Sequence, residues 1–287
     1  MRNVVISGGT DGIGRALAAS CLSRGDDVLV IGRDPAKGAV FTAGGARARF
    51  VRADLSLVAE NRRAIAEIES VFPAVDALVL CARHYRSQRR VTTEGFEETF
   101  ALFYLSRYLL GHGLTHLLEK AGRPVIMNVA GPAHATGAVR WDDLELARGY
   151  HGGAALGQGG KLNDLLGVDY ASVPAPGASA SASGTGSSGE PRRTRYVLFH
   201  PGVVATSHSG TYDPETAAYV ARMRRSAKPV GPTAAAILAR IDAPPAEPLT
   251  AFVEDVPLSV RHPSFAPADA RRLADLTERL LAGVPEA

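Results

Sequence analysis

The residues with the clearest chemistry lie near the start of the chain, in the run Ser7, Gly8, Gly9, Thr10, Asp11, Gly12, Ile13 and Gly14. This run follows a short apolar segment and precedes a helical pattern. Glycines let a backbone turn tightly and approach a pyrophosphate, and a helix N-terminus offers free N–H groups and a partial positive charge. In this strand–loop–helix context, the run predicts a loop that binds the phosphates of a dinucleotide.

Residues after the next two predicted strands bear on which dinucleotide is bound. The second strand ends at Gly32 and is followed by Arg33 and Asp34. A basic side chain there favours the 2′-phosphate of NADP(H), whereas an acidic one favours the free ribose of NAD(H). Arg33 makes NADP(H) the expected cofactor, and Asp34 keeps NAD(H) as the alternative. Asp54 and Leu55 follow the third strand, where Asp54 is a candidate adenine contact, helix N-cap, or both.

Several other side chains could move protons, because imidazole, phenol and amine groups act as acids or bases. They lie after the fourth predicted strand, before and within the helix that begins near residue 153, and after the sixth strand. The candidates are His84, Tyr85, His134, Tyr150, His151, Lys161 and His208. Each taken singly has the alternative of an exposed loop side chain, but at least one is expected to work in a pocket.

Short apolar runs alternate with longer helical patterns along the chain. Strands are predicted at 3–7, 27–32, 47–53, 76–81, 124–130, 195–200 and 250–254, and helices at 12–24, 56–71, 94–120, 153–170, 214–226, 232–241 and 267–281. Most of these strands are apolar without alternation, as in parallel strands buried on both faces. The pattern predicts an α/β doubly wound Rossmann fold, with a seven-stranded, mainly parallel sheet flanked by helices.

One stretch interrupts this pattern, at residues 172–194. Ala, Ser, Gly and Pro dominate it, so it cannot bury enough apolar area to offset its ordering entropy. We interpret it as a flexible insertion on the surface of a single domain that spans residues 1–287. A lid over the site is the alternative, since loops of this length are uncommon unless functional or disordered.

Composition narrows the class of protein. Hydrophobic residues make up 46% and charged residues 21% of the 287 residues, which is typical of a globular domain. The near balance of 32 basic and 29 acidic residues gives no footprint for nucleic acid. No apolar stretch approaches the ~20 residues of a membrane span. The two cysteines form neither a metal cluster nor a disulfide framework. A cytoplasmic protein with a small-molecule substrate or ligand, and no metal, is expected.

Taken together, these residues resemble the short-chain dehydrogenase/reductase family over essentially the whole chain apart from 172–194. The family's glycine motif is TGxxxGIG, in which Ser7 replaces the threonine. Asp54 matches the family's aspartate after the third strand, and Pro201 and Gly202 match its Pro-Gly motif. Thr206 matches the residue that usually holds the nicotinamide carboxamide. The resemblance therefore implies a nicotinamide cofactor.

The segment from His134 to Leu165 resembles the retinol dehydrogenase-like branch and aligns without gaps. The family reduces carbonyls with a Tyr acid, a Lys that lowers its pKa, a Ser that orients the substrate and an Asn that holds a water. In this chain the Asn position holds Phe103, the Ser position Gly131, the Tyr position Leu156 and the Lys position Gly160. The alignment therefore predicts that the usual catalytic set is missing.

Two neighbouring features add to this departure. The family's Asn-Ala-Gly motif after the fourth strand is altered to Cys81, Ala82 and Arg83, which puts a bulky cation beside the cofactor. Lys161 lies one residue past the lysine position, which turns it by about 100° around the helix axis.

The helix that carries these positions is rich in glycine. Each glycine costs about 1 kcal/mol in a helix interior relative to alanine. We therefore expect the helix to start late or to be irregular near Gly160. The glycines are Gly152, Gly153, Gly157, Gly159 and Gly160.

Three functional hypotheses follow. The first is a repurposed enzyme of bacterial specialised metabolism, acting as an isomerase, cyclase or lyase, or as an oxidoreductase with a different proton donor. The second is an inactive homologue that senses NADP(H) or serves as a partner subunit. The third is an ordinary NADP-dependent ketoreductase. The family usually associates through its fourth and fifth helices, so a homo-oligomer or pairing with a related subunit is expected.

Overall fold

A central sheet and flanking helices occupy the part of the chain that the computed structural model describes, which is residues 1–133, 138–174, 191–208 and 210–285. The strands are β1 Asn3–Ser7, β2 Asp27–Gly32, β3 Ala48–Arg52, β4 Ala77–Leu80, β5 Tyr85–Arg86, β6 Val125–Val129, β7 Arg195–His200, β8 Gly210–Thr211, β9 Leu249–Val253 and β10 Val256–Leu258. The α-helices are α1 Gly12–Ser23, α2 Pro35–Thr42, α3 Val58–Val71, α4 Glu98–Phe100, α5 Ser106–Gly113, α6 Thr115–Leu118, α7 Gly152–Ser172, α8 Pro214–Arg225, α9 Val230–Asp242 and α10 Pro267–Ala282.

The main sheet has eight strands in the order β10-β9-β7-β6-β4-β1-β2-β3, and all pairs except β9–β10 are parallel. The chain runs from β1 to β3 at one edge and then crosses to β4 on the other side of β1. This reversal creates the crevice beyond the carboxyl ends of the strands where ligands bind in open α/β sheets. The predicted α/β doubly wound Rossmann fold is confirmed.

Each of the seven predicted strands is present, but the count of seven is too low. An eighth strand, β10, folds back on β9 through a turn in which Glu254 has a φ of 56°. It is only three residues long and has a proline at its centre, so the sequence does not mark it as a strand. The short helix α2 was also missed, although Asp34 and Pro35 are typical of a helix start.

The core consists of two apolar layers, one on each side of the sheet. Val5 faces the layer that contains Ile68 of α3, whereas Val4 and Ile6 face the layer that contains Leu17 of α1. All of these side chains are fully buried. Burial on both faces explains why the strands are apolar without alternation.

The predicted helix over 94–120 is divided into shorter pieces. Glu94 lies outside it and caps the start of α3, accepting a hydrogen bond from the Ala59 amide at 2.9 Å. Glu97 then caps α4, and a π-helical turn at Ala101–Leu105 separates α4 from α5. The extra residue in a π turn widens the helix locally, and this turn carries Phe103 towards the cleft.

Helix α7 runs without interruption from Gly152 to Ser172, so the expected late start or irregularity near Gly160 is wrong. Neighbours approach its glycines closely: a Cβ on Gly152 would lie 2.2 Å from the Arg86 carbonyl oxygen. A Cβ on Gly159 would lie 2.6 Å from Cδ1 of Phe103. Tertiary packing against the bare glycine face therefore outweighs the local cost in helix propensity.

A buried polar network ties α5 to the carboxyl ends of two central strands. The Arg107 guanidinium is only 2% exposed, and it donates hydrogen bonds to the carbonyls of Ala82 at 3.2 Å and Val129 at 3.0 Å and to the Asn128 side chain. Asn128 also donates to Asn163 of α7 at 2.9 Å. Burial lowers the pKa of Arg107 to about 10, so the group remains a cation at neutral pH.

A buried carboxyl holds the loop after β6 against α7. Oδ2 of Asp164 accepts a hydrogen bond from the Ala133 amide at 2.9 Å, and Oδ1 is buried without a hydrogen bond to any described residue. Burial raises the pKa of Asp164 from 3.8 to about 7. The folded protein therefore favours the protonated form of this group.

The predicted insertion at 172–194 is described only at its two ends, because residues 175–190 lie outside the described residues. Ser172 is the last residue of α7. The Arg192 guanidinium stacks on the Tyr170 ring at 4.2 Å, and Thr194 donates a hydrogen bond to Glu119 at 2.5 Å. These flanking residues pack into the domain, so the stretch assigned as flexible was too wide at both ends.

A matched pair of glycine substitutions tests the packing of α7. Gly159→Ala is expected to lower the free energy of unfolding by about 1 to 2 kcal/mol, because overpacking against Phe103 outweighs the gain in helix propensity. Gly160→Ala should raise it by up to about 1 kcal/mol, because its Cβ would meet only the Gly131 oxygen at 3.8 Å. Urea unfolding of both variants measures the difference, and equal effects would contradict the packing.

The buried carboxyl makes stability depend on pH. Since the pKa of Asp164 is raised in the folded state, its contribution is fully present below 3.8 and is lost as the pH rises through about 7. Asp164→Asn keeps an oxygen for the Ala133 amide and removes the titration. We expect this variant to gain thermal stability over the parent at about pH 8 but not at about pH 5. A constant difference between the two pH values would contradict the burial of the charge.

Candidate functional site

The glycine loop lies between the carboxyl end of β1 and the N-terminus of α1, at one end of a long cleft. Gly8 has a φ of +69°, and a Cβ there would lie 2.9 Å from the Ala82 nitrogen. A Cβ on Gly14 would lie 2.5 Å from the Gly8 oxygen, so the helix packs directly on the loop. Residues of the loop that line the cleft include Gly8, Thr10, Gly12, Ile13 and Gly14. Ser7 does not line it, because its hydroxyl accepts a hydrogen bond from the Ala82 amide beneath the loop at 3.3 Å.

Asp11 places a carboxylate at the helix N-terminus, but a lysine compensates it. Asp11 caps α1 through the Gly12 amide at 2.7 Å and pairs with Nζ of Lys37 at 2.6 Å. Partial burial alone would raise the pKa of Asp11, but the bonds from Lys37 and Gly12 outweigh it and hold that pKa below its usual value. Lys37, which sequence analysis missed, therefore reduces the repulsion between Asp11 and a phosphate.

Both residues after β2 line the cleft, but Asp34 is also engaged in a helix cap. Oδ1 of Asp34 caps α2 by accepting from the Ala36 amide at 2.9 Å and the Lys37 amide at 3.3 Å. Arg33 lines the cleft, is about half exposed, and lies 3.8 Å from the Asp54 carboxylate. The cation is thus the group more available to a ligand at this end.

Asp54 and Leu55 both follow β3, and only Leu55 lines the cleft. Oδ1 of Asp54 accepts hydrogen bonds from the amide and hydroxyl of Ser56 at 3.0 and 2.7 Å. The N-cap position of α3 is Leu57, so Asp54 closes the turn before the helix instead of capping it. An adenine contact for Asp54 remains a prediction.

His84 lies after β4, where Cys81 and Ala82 also line the cleft. Both ring nitrogens of His84 are buried and make no hydrogen bond with the described residues. Burial, together with Arg86 and Arg33, lowers the pKa of His84 to about 4. A neutral imidazole with unsatisfied nitrogens fits a ligand that can donate and accept hydrogen bonds.

The loop after β7 closes the other side of the glycine loop. A Cβ on Gly12 would lie 3.0 Å from Cγ2 of Thr206, so Thr206 covers the start of α1. Gly202 has a φ of +71°, and with Pro201 it lines the cleft. The cradle, the helix N-terminus and the orphaned nitrogens of His84 together fit a dinucleotide.

The four positions of the family's catalytic set meet in the same cleft. Phe103, Gly131, Leu156 and Gly160 all line it, and a Cβ on Gly160 would lie 3.8 Å from the Gly131 oxygen. The ungapped alignment therefore brings together positions that the fold also brings together. They supply a ring, an aliphatic chain and bare backbone, none of which can transfer a proton at neutral pH.

The seven residues predicted as candidates for proton transfer do not all line the cleft. Five of them line the cleft: His84, Tyr85, His151, Lys161 and His208. Tyr150 does not, because its hydroxyl donates to Oε1 of Glu97 at 3.2 Å and lies 3.2 Å from the Thr99 hydroxyl, away from the cleft. Burial raises the pKa of Tyr150 to about 12, so its selection as a candidate is not supported. His134 lies outside the described residues.

A small cover forms where the loops after β4 and β7 meet. β5 and β8 pair in parallel, and the rings of Tyr85 and Tyr212 lie 5.4 Å apart. His208, with a φ of 44°, hydrogen-bonds the Thr206 carbonyl through Nδ1 at 3.0 Å. If that nitrogen carries the proton, Nε2 is an acceptor and the ring is a base. Arg83 also lines this end.

Metal and membrane sites find no support in the described ranges. No group of three or more His, Cys, Asp or Glu side chains there could hold a metal ion, and no helix there is long and apolar enough to cross a bilayer. Cys21 and Cys81 are free thiols. Burial raises the pKa of Cys81, which lines the cleft, to about 12 and so disfavours its nucleophilic thiolate form.

Comparison with known proteins places this geometry in a family. The family model for short chain dehydrogenase matches residues 2–141. The chain is 35% identical over 121 residues to an uncharacterized oxidoreductase of Saccharomyces cerevisiae, covering 40% of this chain and 37% of that protein. It is 29% identical over 149 residues to retinol dehydrogenase 13 of Mus musculus, covering 50% and 45%.

Structural similarity extends further along the chain than sequence similarity. An alcohol dehydrogenase from Thermococcus sibiricus, solved with 5-hydroxy-NADP, superposes with a TM-score of 0.61 at 16% identity, covering 88% of this chain and 95% of that one. The chain spans between about a third and a half of the length of the two curated relatives from Saccharomyces cerevisiae and Mus musculus. It belongs to the short-chain dehydrogenase/reductase superfamily, near the retinol dehydrogenase branch.

Proposed function

We propose that the protein binds NADP(H) in the cleft and acts as an atypical enzyme of its family, without the Ser-Tyr-Lys proton relay. The observation that carries this proposal is the contrast between the two ends of one cleft. The glycine loop, Arg33 and Thr206 retain the features of a dinucleotide site. The positions that should move protons hold Phe103, Gly131, Leu156 and Gly160.

Nicotinamide cofactor binding is supported by the family and by the related alcohol dehydrogenase solved with an NADP derivative. The preference for NADP(H) over NAD(H) rests on this chain's own residues. Asp34 is occupied in capping α2, whereas Arg33 and Lys37 present cations to the cleft. The guanidinium of Arg33 suits a 2′-phosphate, Lys37 neutralises the Asp11 carboxylate nearby, and an engaged carboxylate is a poor partner for a free ribose.

An enzyme fits better than a homologue that only binds the cofactor, because a candidate base remains beside Thr206. Burial, together with the cations Arg224 and Arg83, lowers the pKa of His208 below its usual value. The ring is therefore neutral at pH 7, and its Nε2 could accept a proton from a substrate. Such a base suits proton abstraction, as in an isomerisation or an alcohol oxidation, more than it suits carbonyl reduction.

The cofactor preference is tested by removing one cation. Arg33→Ala is expected to weaken NADPH binding about 10- to 100-fold, because a charge-assisted hydrogen bond contributes about 1.5 to 3 kcal/mol. NADH, which lacks the phosphate, should bind within about twofold of the parent. Fluorescence titration with both nucleotides measures this. Arg52→Ala, at an exposed arginine that ends β3, serves as the control, and equal losses for both nucleotides would contradict the assignment.

The missing relay is tested by restoring it. The triple variant Gly131→Ser, Leu156→Tyr and Gly160→Lys places a hydroxyl, a phenol and an ammonium in the cleft. We expect NADPH oxidation with a panel of small aldehydes and ketones to rise at least about 100-fold over the parent, since positioned acids contribute that much. Replacing tyrosine by phenylalanine in the same variant should abolish the gain. A parent that already reduces the panel as fast as the triple variant would contradict the proposal.

A further inference from the structure

The cleft extends beyond its dinucleotide end into a region bordered by α7 and by residues 138–146. Three cationic side chains line it, namely Arg83, Arg140 and Lys161. None of them forms an ion pair with a carboxylate among the described residues, in contrast to Arg33 and Lys37 at the other end. No ion pair among the described residues therefore engages these three cations.

A buried glutamine holds the segment that carries Arg140 against α7. Gln158 of α7 is 5% exposed, and its Oε1 accepts a hydrogen bond from the Arg140 amide at 2.9 Å. Its Nε2 donates to the carbonyl of Leu144 at 2.8 Å. Lys161, on the same helix, donates to the carbonyl of Ala138 at 3.3 Å. Residues 138–144 are thus clamped to α7, which brings Arg140 and Lys161 to one wall.

The carboxylates nearest in sequence are engaged elsewhere. Asp142 pairs with Nη2 of Arg148 at 2.5 Å, and Asp143 accepts from the Arg148 amide at 3.1 Å. Asp164 is turned towards the Ala133 amide on the loop after β6. These acids line no part of the cleft. Asp213 and Glu215 at the start of α8 do line it, but Asp213 caps that helix through the Thr216 amide at 2.7 Å. Neither acid forms an ion pair with a cation of this region among the described residues, so an anionic ligand could still pair with these cations.

The pKa values of Lys161 and His208 are both lowered, in part by nearby cations. Burial lowers the pKa of Lys161, and the charge of Arg140 lowers it further. The pKa of His208 is lowered by burial and by the charges of Arg224 and Arg83. An anion bound among these groups would relieve the repulsion between them.

The adjoining surface is apolar and holds a strained residue. Leu146 lines the cleft with a φ of 48° and is 2% exposed. A left-handed conformation costs a leucine roughly 1 to 2 kcal/mol, and such strain concentrates at ligand sites. Leu156 also lines the cleft, and the missing side chains of Gly131 and Gly160 leave room beside it.

We propose that this end of the cleft binds an organic anion, with a carboxylate or phosphate held by Lys161 and Arg140 and an apolar body against Leu146 and Leu156. The proposal deepens the proposed function, because it gives the substrate class of the same site. It remains separable from cofactor binding, since Arg33 and the glycine loop lie at the other end.

Three probes of one shape test the proposal by isothermal titration calorimetry. Naphthoate, naphthyl phosphate and the neutral naphthamide are titrated into the full chain, with and without NADPH. We expect at least one of the two anions to bind at least about tenfold more tightly than the amide, which corresponds to the 1.4 kcal/mol that a charge-assisted bond supplies. The tighter of the two anions identifies the oxyanion that the site prefers.

Variants then locate the charge. Lys161→Gln and Arg140→Gln, singly and together, should weaken binding of the preferred anion about tenfold or more and leave naphthamide unchanged. Arg225→Gln removes an exposed arginine of α8 that does not line the cleft, and it should change neither. Thermal unfolding and NADPH affinity at parental values show that the variants remain folded.

The other possible results of these titrations each contradict the anion site or the proposed function. Equal affinity for the anions and the amide, no binding of any probe at millimolar concentration, or unchanged anion binding in the double variant would overturn the proposal. Failure of NADPH to bind while the anion still binds would refute the proposed function and leave the anion site standing. NADPH binding without anion binding would refute the anion site and leave the proposed function standing.

Discussion

Contact between the Phe103 ring and the bare backbone of Gly159 is the constraint on which the rest of the site depends. The ring occupies the position of the family's asparagine, and the guanidinium of Arg107 stacks on it at 4.5 Å. A glycine is required at residue 159 because a Cβ would lie 2.6 Å from the ring. Helix α7 can approach the ring this closely only while residue 159 has no side chain. The contact therefore sets how closely the helix packs. The neighbouring relay positions are not closed in the same way, since Leu156 carries a side chain and a Cβ on Gly160 would lie 3.8 Å from its nearest neighbour.

The central strands could be predicted closely because burial on both faces leaves a direct signal in the sequence. β1 was placed at Asn3–Ser7 and β2 at Asp27–Gly32, with the bounds that the structure shows. Helix α7 was misjudged because helix propensity describes a residue in isolation, and the ring that compensates the glycines lies about 50 positions earlier in the chain. β10 was missed because it has only three residues and the central one is a proline, which is tolerated at a sheet edge but argues against a strand in the sequence.

In the site, too, features set by adjacent residues could be predicted, whereas features set by residues far along the chain could not. The glycine loop could be predicted because its backbone requirements are met by adjacent residues. Tyr150 was chosen for its chemistry, but Glu97 and Thr99 turn it away, and this contact across more than 50 residues leaves no mark in the sequence. Lys37 was missed for the opposite reason, since a lysine gains meaning only from the Asp11 carboxylate that it meets. Residue type and spacing predicted where the cleft lies. The hydrogen-bond and ion-pair partners of each side chain determine which side chains line it.

The buried guanidinium of Arg107 has an electrochemical consequence. It lies beneath the strand ends that form the floor of the cleft, held by the carbonyls of Ala82 and Val129. A nicotinamide ring is cationic when oxidised and neutral when reduced, so a fixed positive charge in a medium of low dielectric constant disfavours the oxidised form. We expect the protein to hold the reduced cofactor more tightly than the oxidised one, which raises the midpoint potential of the bound couple. Such a protein would be a weaker hydride donor than free NADPH and a better hydride acceptor when oxidised.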